Sequence, residues 1–215
     1  NTLTKLGLAK TVTPATVAAT KVAVKQKAAA RKAHDVPVEV FVWPIEGNCK
    51  VNAGFKQRRG KTIHAAIDQN VKPGTPIRAV TDGVVTNVQT ISQFMRRTNR
   101  IIRGLGLGKR VSPDYVGWLR AKTKYFRGRT SKVRKKGGGS WKAGVYITTE
   151  HKLSDGRTLQ AQYMHLKSTA VSKGAAVTKG QIIGTSGDTA IIDDPPHLHF
   201  VTKINGRRVD PVSII

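Results

Sequence analysis

His64 and Asp68 stand four residues apart in His64-Ala65-Ala66-Ile67-Asp68. A step of four puts both on one side of a helix and, being even, on one side of a strand. An imidazole and a carboxylate so placed can hold a metal ion, or simply hydrogen-bond at a surface. His197 and His199, in Pro195-Pro196-His197-Leu198-His199-Phe200, are two apart. On a strand both rings leave the same face, with Leu198 and Phe200 opposite and free to enter a core. A pair of core histidines fits the same pattern. In Gln162-Tyr163-Met164-His165-Leu166 the alternation puts Tyr163 and His165 on one face. His34 and His151 lie in no such constellation and read as ordinary surface residues. Cys49 is the only cysteine, so an internal disulfide and a thiolate cluster are both excluded. Any metal must sit on His, Asp or Glu.

Together the three segments resemble the M23 family of zinc peptidases, the LytM and lysostaphin-like cell-wall endopeptidases. That family carries, in this order, a His-x-x-x-Asp segment, a Tyr-x-His-Leu-like segment and a C-terminal His-x-His. The stretches between match as well: Val71-Lys72-Pro73-Gly74-Thr75-Pro76-Ile77, Asp82-Gly83-Val84-Val85, Val177 to Gly184, and Asp210-Pro211. The resemblance covers about 43–89 and 144–215. It implies a Zn2+ ion held by His64, Asp68 and His199, with the fourth tetrahedral position open as in catalytic sites. It makes His165 and His197 the catalytic groups that orient or deprotonate water and stabilise the oxyanion, without saying which does which. Two departures bear on the cleft. Ala66 stands where the family commonly has Gly, and the loop 188–196 lacks the usual glycine-rich form.

The elements that must position these residues read as strands. Val38–Trp43, Ile77–Val80, Gly83–Val88 and Ala143–Thr149 are short β-rich runs. Pro44, Glu46-Gly47-Asn48, Lys72-Pro73-Gly74, Asp82-Gly83, Ser154-Asp155-Gly156 and Asn205-Gly206 separate them as turns. The expected class is mainly β: an antiparallel-sheet, LytM/lysostaphin-like domain over 38–215. Residues 92–142 interrupt it as a basic, partly helical insertion. There Ser92 is expected to cap one helix and Ser112-Pro113-Asp114 to open another, whose apolar face is Tyr115, Trp118, Leu119 and Phe126. A basic glycine-rich loop, 127–140, follows. Residues 1–37 read as an extended or helical N-terminal arm, with a helix over about 15–33.

Lys and Arg outnumber Asp and Glu by 38 to 12, a net charge of +26. The insertion holds sixteen of these cations against one acid, Asp114, and so supplies +15. Such a field attracts polyanions. The expected partners are peptidoglycan and anionic wall polymers, with other virion proteins docking through arm and insertion. Nucleic acid is the alternative, with Tyr115, Trp118, Tyr125 and Phe126 as stacking groups. No apolar run reaches the ~20 residues of a transmembrane span. Residues 1–30 show no signal-peptide core, although a leader removed before Asn1 would leave none. The expected setting is a phage virion, in its tail or baseplate, or alternatively a secreted or periplasmic one.

Overall fold

A computed structural model describes residues 41–47, 50–127, 142–189 and 195–215. The chain divides at Val38 and Glu39 into two units, and every described residue belongs to the second. The expected arm and most of the glycine-rich loop lie outside the described residues.

Thirteen strands are described. In chain order they are β1 (Val51–Ala53), β2 (Arg58–Arg59), β3 (Thr62–Ile63), β4 (Ile67–Asn70), β5 (Pro76–Arg78), β6 (Gly83–Gln89), β7 (Tyr146–Lys152), β8 (Thr158–Met164), β9 (Leu166–Thr169), β10 (Ala176–Val177), β11 (Ile182–Ser186), β12 (His197–Ile204) and β13 (Arg207–Val209). The main sheet runs β1-β4-β12-β8-β7-β6-β10, with β13 added beside β12. Its pairings are antiparallel throughout. A three-stranded sheet, β5-β11-β9, and the hairpin β2-β3 complete the β structure. Alternation explains the buried face: Leu159, Ala161 and Tyr163 of β8 point inward, and so do Leu198 and Phe200 of β12. The β12–β13 hairpin closes through Asn205 and Gly206, both at positive φ, as a two-residue type I′ turn requires.

The expected strand at 38–43 is not formed over its described part. Phe41–Trp43 is irregular, and Val42 N–H reaches only Val80 O, at 2.9 Å. The insertion is helical, as expected, but its caps differ. Helix α1 (Ile91–Gly104) is capped by Thr90 rather than Ser92, in a reciprocal capping box with Gln93. It ends in a Schellman motif: Gly106 at positive φ donates to Arg103 O, and Leu107 to Ile102 O, both at 3.0 Å. Helix α2 (Tyr115–Ala121) is capped by Asp114, whose carboxylate accepts from Gly117 N–H at 2.7 Å. Ser112 instead donates to that carboxylate, and Pro113 precedes the cap. A π-helical turn, Lys122–Phe126, continues α2.

These helices are not an appendage. Phe94, Met95 and Ile102 of α1, with Trp118, Ala121, Tyr125 and Phe126, join the same hydrophobic cluster as the β core. Trp118 is fully buried and stacks edge-on against Phe94 at 4.8 Å. No helix among the described residues is long and apolar enough to cross a membrane.

Candidate metal centre

Three strands and one loop bring the motif residues together. Antiparallel pairing sets His199 of β12 opposite Asp68 of β4 on one side and Met164 of β8 on the other. Residues directly opposite share a face, so Asp68 and His199 project together while Phe200 and Tyr163 go to the core. His64 precedes β4 and is held by the neighbouring hairpin. Its N–H donates to Gln57 O at 2.8 Å, and its carbonyl accepts from Lys56 N–H at 2.7 Å.

His165 reaches the same place by another route. The expectation that Tyr163 and His165 share a face fails, because β8 ends at Met164 and His165 adopts a φ of +66°. The left-handed residue breaks the alternation and swings its imidazole to within 4.9 Å of the His197 ring and 5.4 Å of the His199 ring, centroid to centroid. Tyr163 stays wholly buried, its hydroxyl accepting from Val80 N–H at 3.1 Å.

The donor atoms converge on Asp68. Its Oδ1 lies 2.7 Å from His199 Nδ1, 3.3 Å from His64 Nε2 and 3.8 Å from His197 Nε2. His64 Nε2 is 3.4 Å from His199 Nδ1. A tetrahedral zinc ion with bonds of about 2.1 Å spaces its ligands about 3.4 Å apart, so these three atoms suit it with little movement. His165, His197 and His199 form a second group whose ring nitrogens also lie within 4.8 Å of one another. Only the first group brings a carboxylate to offset part of a dication's charge.

Hydrogen bonds decide the tautomers. His64 Nδ1 lies 3.1 Å from Gly54 O and His197 Nδ1 lies 2.8 Å from Pro195 O. A carbonyl can only accept, so both Nδ1 atoms carry the proton and both Nε2 lone pairs face the site. Burial lowers the pKa of His64 despite the nearby Asp68 charge. Burial, with His199 and His197 beside it, pushes His165 well below the usual histidine value. Its Nδ1 is buried without a hydrogen-bond partner. Burial opposes the charge on Asp68, yet the His199 hydrogen bond and field, then Arg59, hold it well below the carboxylate range. Burial thus favours the neutral imidazole of His64, and its neighbours favour the ionised carboxylate of Asp68, the forms in which these groups bind a metal.

Sequence reasoning missed Arg59, whose guanidinium pairs with Asp68 Oδ2 from the tip of the β2–β3 hairpin. Its only signal was a turn, Arg59-Gly60-Lys61, shortly before His64. Arg59 also lines a recess of about 340 Å3 beside the centre, with Asn52, Gln57, Asn70, Pro195 and His197. His151 was misread as a surface residue: it is 1 % exposed. Its Nδ1–H donates to Asp82 O at 2.7 Å, so Nε2 accepts from the Thr149 hydroxyl at 2.6 Å. It braces the core face of β7 and lies in neither donor group. His34 lies outside the described residues. Ala66 is buried beside the centre. Loop 188–196 is described only at its ends. There Asp188 O accepts from Trp118 Nε1 at 2.7 Å, and its carboxylate pairs with Lys122 at 2.6 Å.

Residues 127–211 match the profile of Peptidase family M23. Over that span the chain is similar to the M23 family. The matched span includes His165, His197 and His199, while His64 and Asp68 lie ahead of the insertion. A Haemophilus influenzae protein described as an uncharacterized metalloprotease is 28 % identical over 178 residues, 80 % of this chain and 26 % of its own. Vibrio cholerae peptidoglycan DD-endopeptidase ShyA is 40 % identical over 71 residues, 33 % of this chain and 15 % of its own. The DD-carboxypeptidase/endopeptidase Mpg of Neisseria meningitidis is 27 % identical over 71 % of this chain and 23 % of its own. This chain thus spans about a quarter or less of these relatives. Among solved structures, a zinc-containing peptidase from Vibrio cholerae superposes with a TM-score of 0.51 at 22 % identity, over 80 % of this chain and 39 % of that one. Lysostaphin from Staphylococcus simulans gives 0.51 at 20 % identity, over 82 % and 54 %. Both similarities show a mainly antiparallel, lysostaphin-like fold.

Proposed function

We propose that this chain is a zinc metalloendopeptidase that hydrolyses peptide bonds in bacterial peptidoglycan. The observation that carries the reading is the convergence of His64 Nε2, Asp68 Oδ1 and His199 Nδ1 within 3.4 Å of one another. The names of the relatives ShyA and Mpg support the substrate class. His64, Asp68 and His199 would hold the ion. When bound, zinc supplies Lewis acidity, polarising a scissile carbonyl and making water acidic enough to lose a proton near neutral pH.

The remaining work falls to the chain. Gly54 O and Pro195 O fix the rings of His64 and His197, so neither must reorganise during reaction. His197 Nε2 presents a lone pair to the site and is the atom placed to accept a proton. His165, neutral and with an unpartnered Nδ1, adds a hydrogen-bonding imidazole where an oxyanion would develop. Arg59 holds Asp68 by Oδ2, which leaves Oδ1 turned to the histidines. The recess with Asn52, Gln57 and Asn70 offers amides to a peptide backbone.

Two substitutions test this together. His64→Ala is expected to abolish stoichiometric zinc binding and clearing of peptidoglycan gels. His165→Ala is expected to retain zinc and lose roughly 10²–10⁴ in turnover, the usual range for a removed acid–base group. Zinc retained by the first variant and lost by the second would assign the metal to the other donor group. Clearing by His64→Ala would refute the assignment of His64 as a ligand of the working metal, and absence of clearing by the unsubstituted zinc-loaded protein would refute the enzyme reading.

We also propose a phage virion, rather than a secreted or periplasmic enzyme, as the setting. The support is the concentration of charge in a basic insertion outside the donor groups, suited to docking on other virion proteins. Mass spectrometry of purified virions tests it; absence of the chain from them would reject it.

A further inference from the structure

The insertion's positive charge is not spread evenly. Arg96, Arg100 and Arg103 stand at i, i+4 and i+7 along α1 and form one exposed stripe. Asn99 sits beside them but is buried, and its side chain bonds the backbone of Val111 in both directions. Nδ2 donates to Val111 O at 2.8 Å, and Oδ1 accepts from Val111 N–H at 3.0 Å. That clamp brings the preceding residue, Arg110, back against the helix. The four arginines and Asn99 line a recess of about 280 Å3.

No carboxylate lines this recess. None of the four guanidinium groups has an ion pair or hydrogen bond among the described residues, whereas Arg59, Arg78 and Arg157 each pair with an acid. Asp114, the sole acid of the insertion, is engaged with Gly117 and Ser112. Arg103 is accounted for by the negative end of α1, but that field fades within one turn. Arg96, Arg100 and Arg110 therefore converge without a counter-charge, which costs electrostatic energy unless an anion is supplied. A guanidinium offers paired donors in the geometry of a phosphate's oxygens. The recess is too small for an extended strand. Of the aromatic residues that would stack on bases, Trp118, Tyr125 and Phe126 are buried in the core and Tyr115 is partly buried.

We propose that Arg96, Arg100, Arg103 and Arg110 form a phosphate-binding site, which takes one phosphate or diphosphate group, free or borne on a lipid headgroup. The site is independent of the metal centre, so its test does not depend on hydrolysis.

Titration calorimetry of the zinc-loaded protein with diphosphate is expected to show saturable binding. The Arg96→Gln/Arg100→Gln double variant is expected to weaken it at least tenfold with zinc content unchanged. A control of equal charge loss elsewhere, Lys179→Gln/Arg207→Gln, should keep wild-type affinity. Equal weakening in both variants, or no saturable binding, would overturn the proposal. Vesicles containing phosphatidylglycerol separate the sources. Capture that excess diphosphate reverses assigns the lipid, and absence of capture alongside diphosphate binding assigns the free anion. Duplex DNA that binds far more tightly than diphosphate, and loses that affinity in the double variant, would replace the small site with a nucleic-acid surface.

Discussion

His165 shows how one backbone angle can decide a site. In a regular strand it would have followed Tyr163 into the core. Its φ of +66° instead delivers it to the face of His197 and His199. Histidine is among the residues that tolerate this region, so the cost is bearable. Burial without full pairing has a consequence in pH. His64 and His165 both titrate below the ordinary value of 6.5 in the folded protein. The unfolded chain therefore binds more protons below that pH, and stability falls as pH drops. Asp68, held below its ordinary 3.8, adds a further loss in stronger acid. Thermal melts of the zinc-free protein should show Tm constant above about pH 7 and declining from about 6.5 downward. His165→Gln should flatten that decline, and a flat wild-type profile would contradict the burial account. The order of the three motifs was legible because each is local. The positive φ was not, since it is imposed by the neighbours: His165 N–H bonds Ala143 O at 3.1 Å, and Thr189 packs over the same turn. Arg59 was invisible for a related reason, because its partner arrives through sheet pairing rather than through adjacency.

The strands were readable from alternation and turn residues, and Asn205-Gly206 gave its turn type outright. The helices of the insertion were readable as helices, but not as part of the core. Sixteen cations and one acid dominate the segment, yet Phe94, Met95, Ile102, Trp118 and Phe126 are spaced to bury completely. Trp118 is the test at this scale. It is fully buried against Phe94 and Phe126, and its Nε1 bonds Asp188 O. Trp118→Ala should destabilise the fold by about 3–5 kcal/mol, the usual cost of emptying such a site. It should also lower activity below the melting temperature, because Asp188 belongs to the loop that leads to His197. Urea unfolding and peptidoglycan assays on the same sample separate the two effects. A loss under 1 kcal/mol would show that the insertion is peripheral.

Across the whole chain the candidate ligands are far apart in sequence. His64 and His199 are separated by 135 positions, so an ion held between them closes a long loop and binds the folded state alone. Stabilisation then follows mass action. Free zinc at a thousand times its Kd contributes about 4 kcal/mol. Chelation should accordingly lower Tm by several degrees and zinc should restore it, while in His64→Ala neither treatment should shift it. A Tm indifferent to chelator in the unsubstituted protein would argue against a tightly held ion.

The bonds from Trp118 and Lys122 to Asp188 also bear on descent. A segment acquired between two halves of a domain is at first dispensable, and deletion restores the ancestor. In this domain such a deletion would not be neutral. Excising 92–142 would empty Phe94, Met95, Ile102, Trp118 and Phe126 from a shared core and release the chain ahead of His197. Selection on the candidate metal centre therefore also preserves the arginine-bearing helices, whatever is bound there.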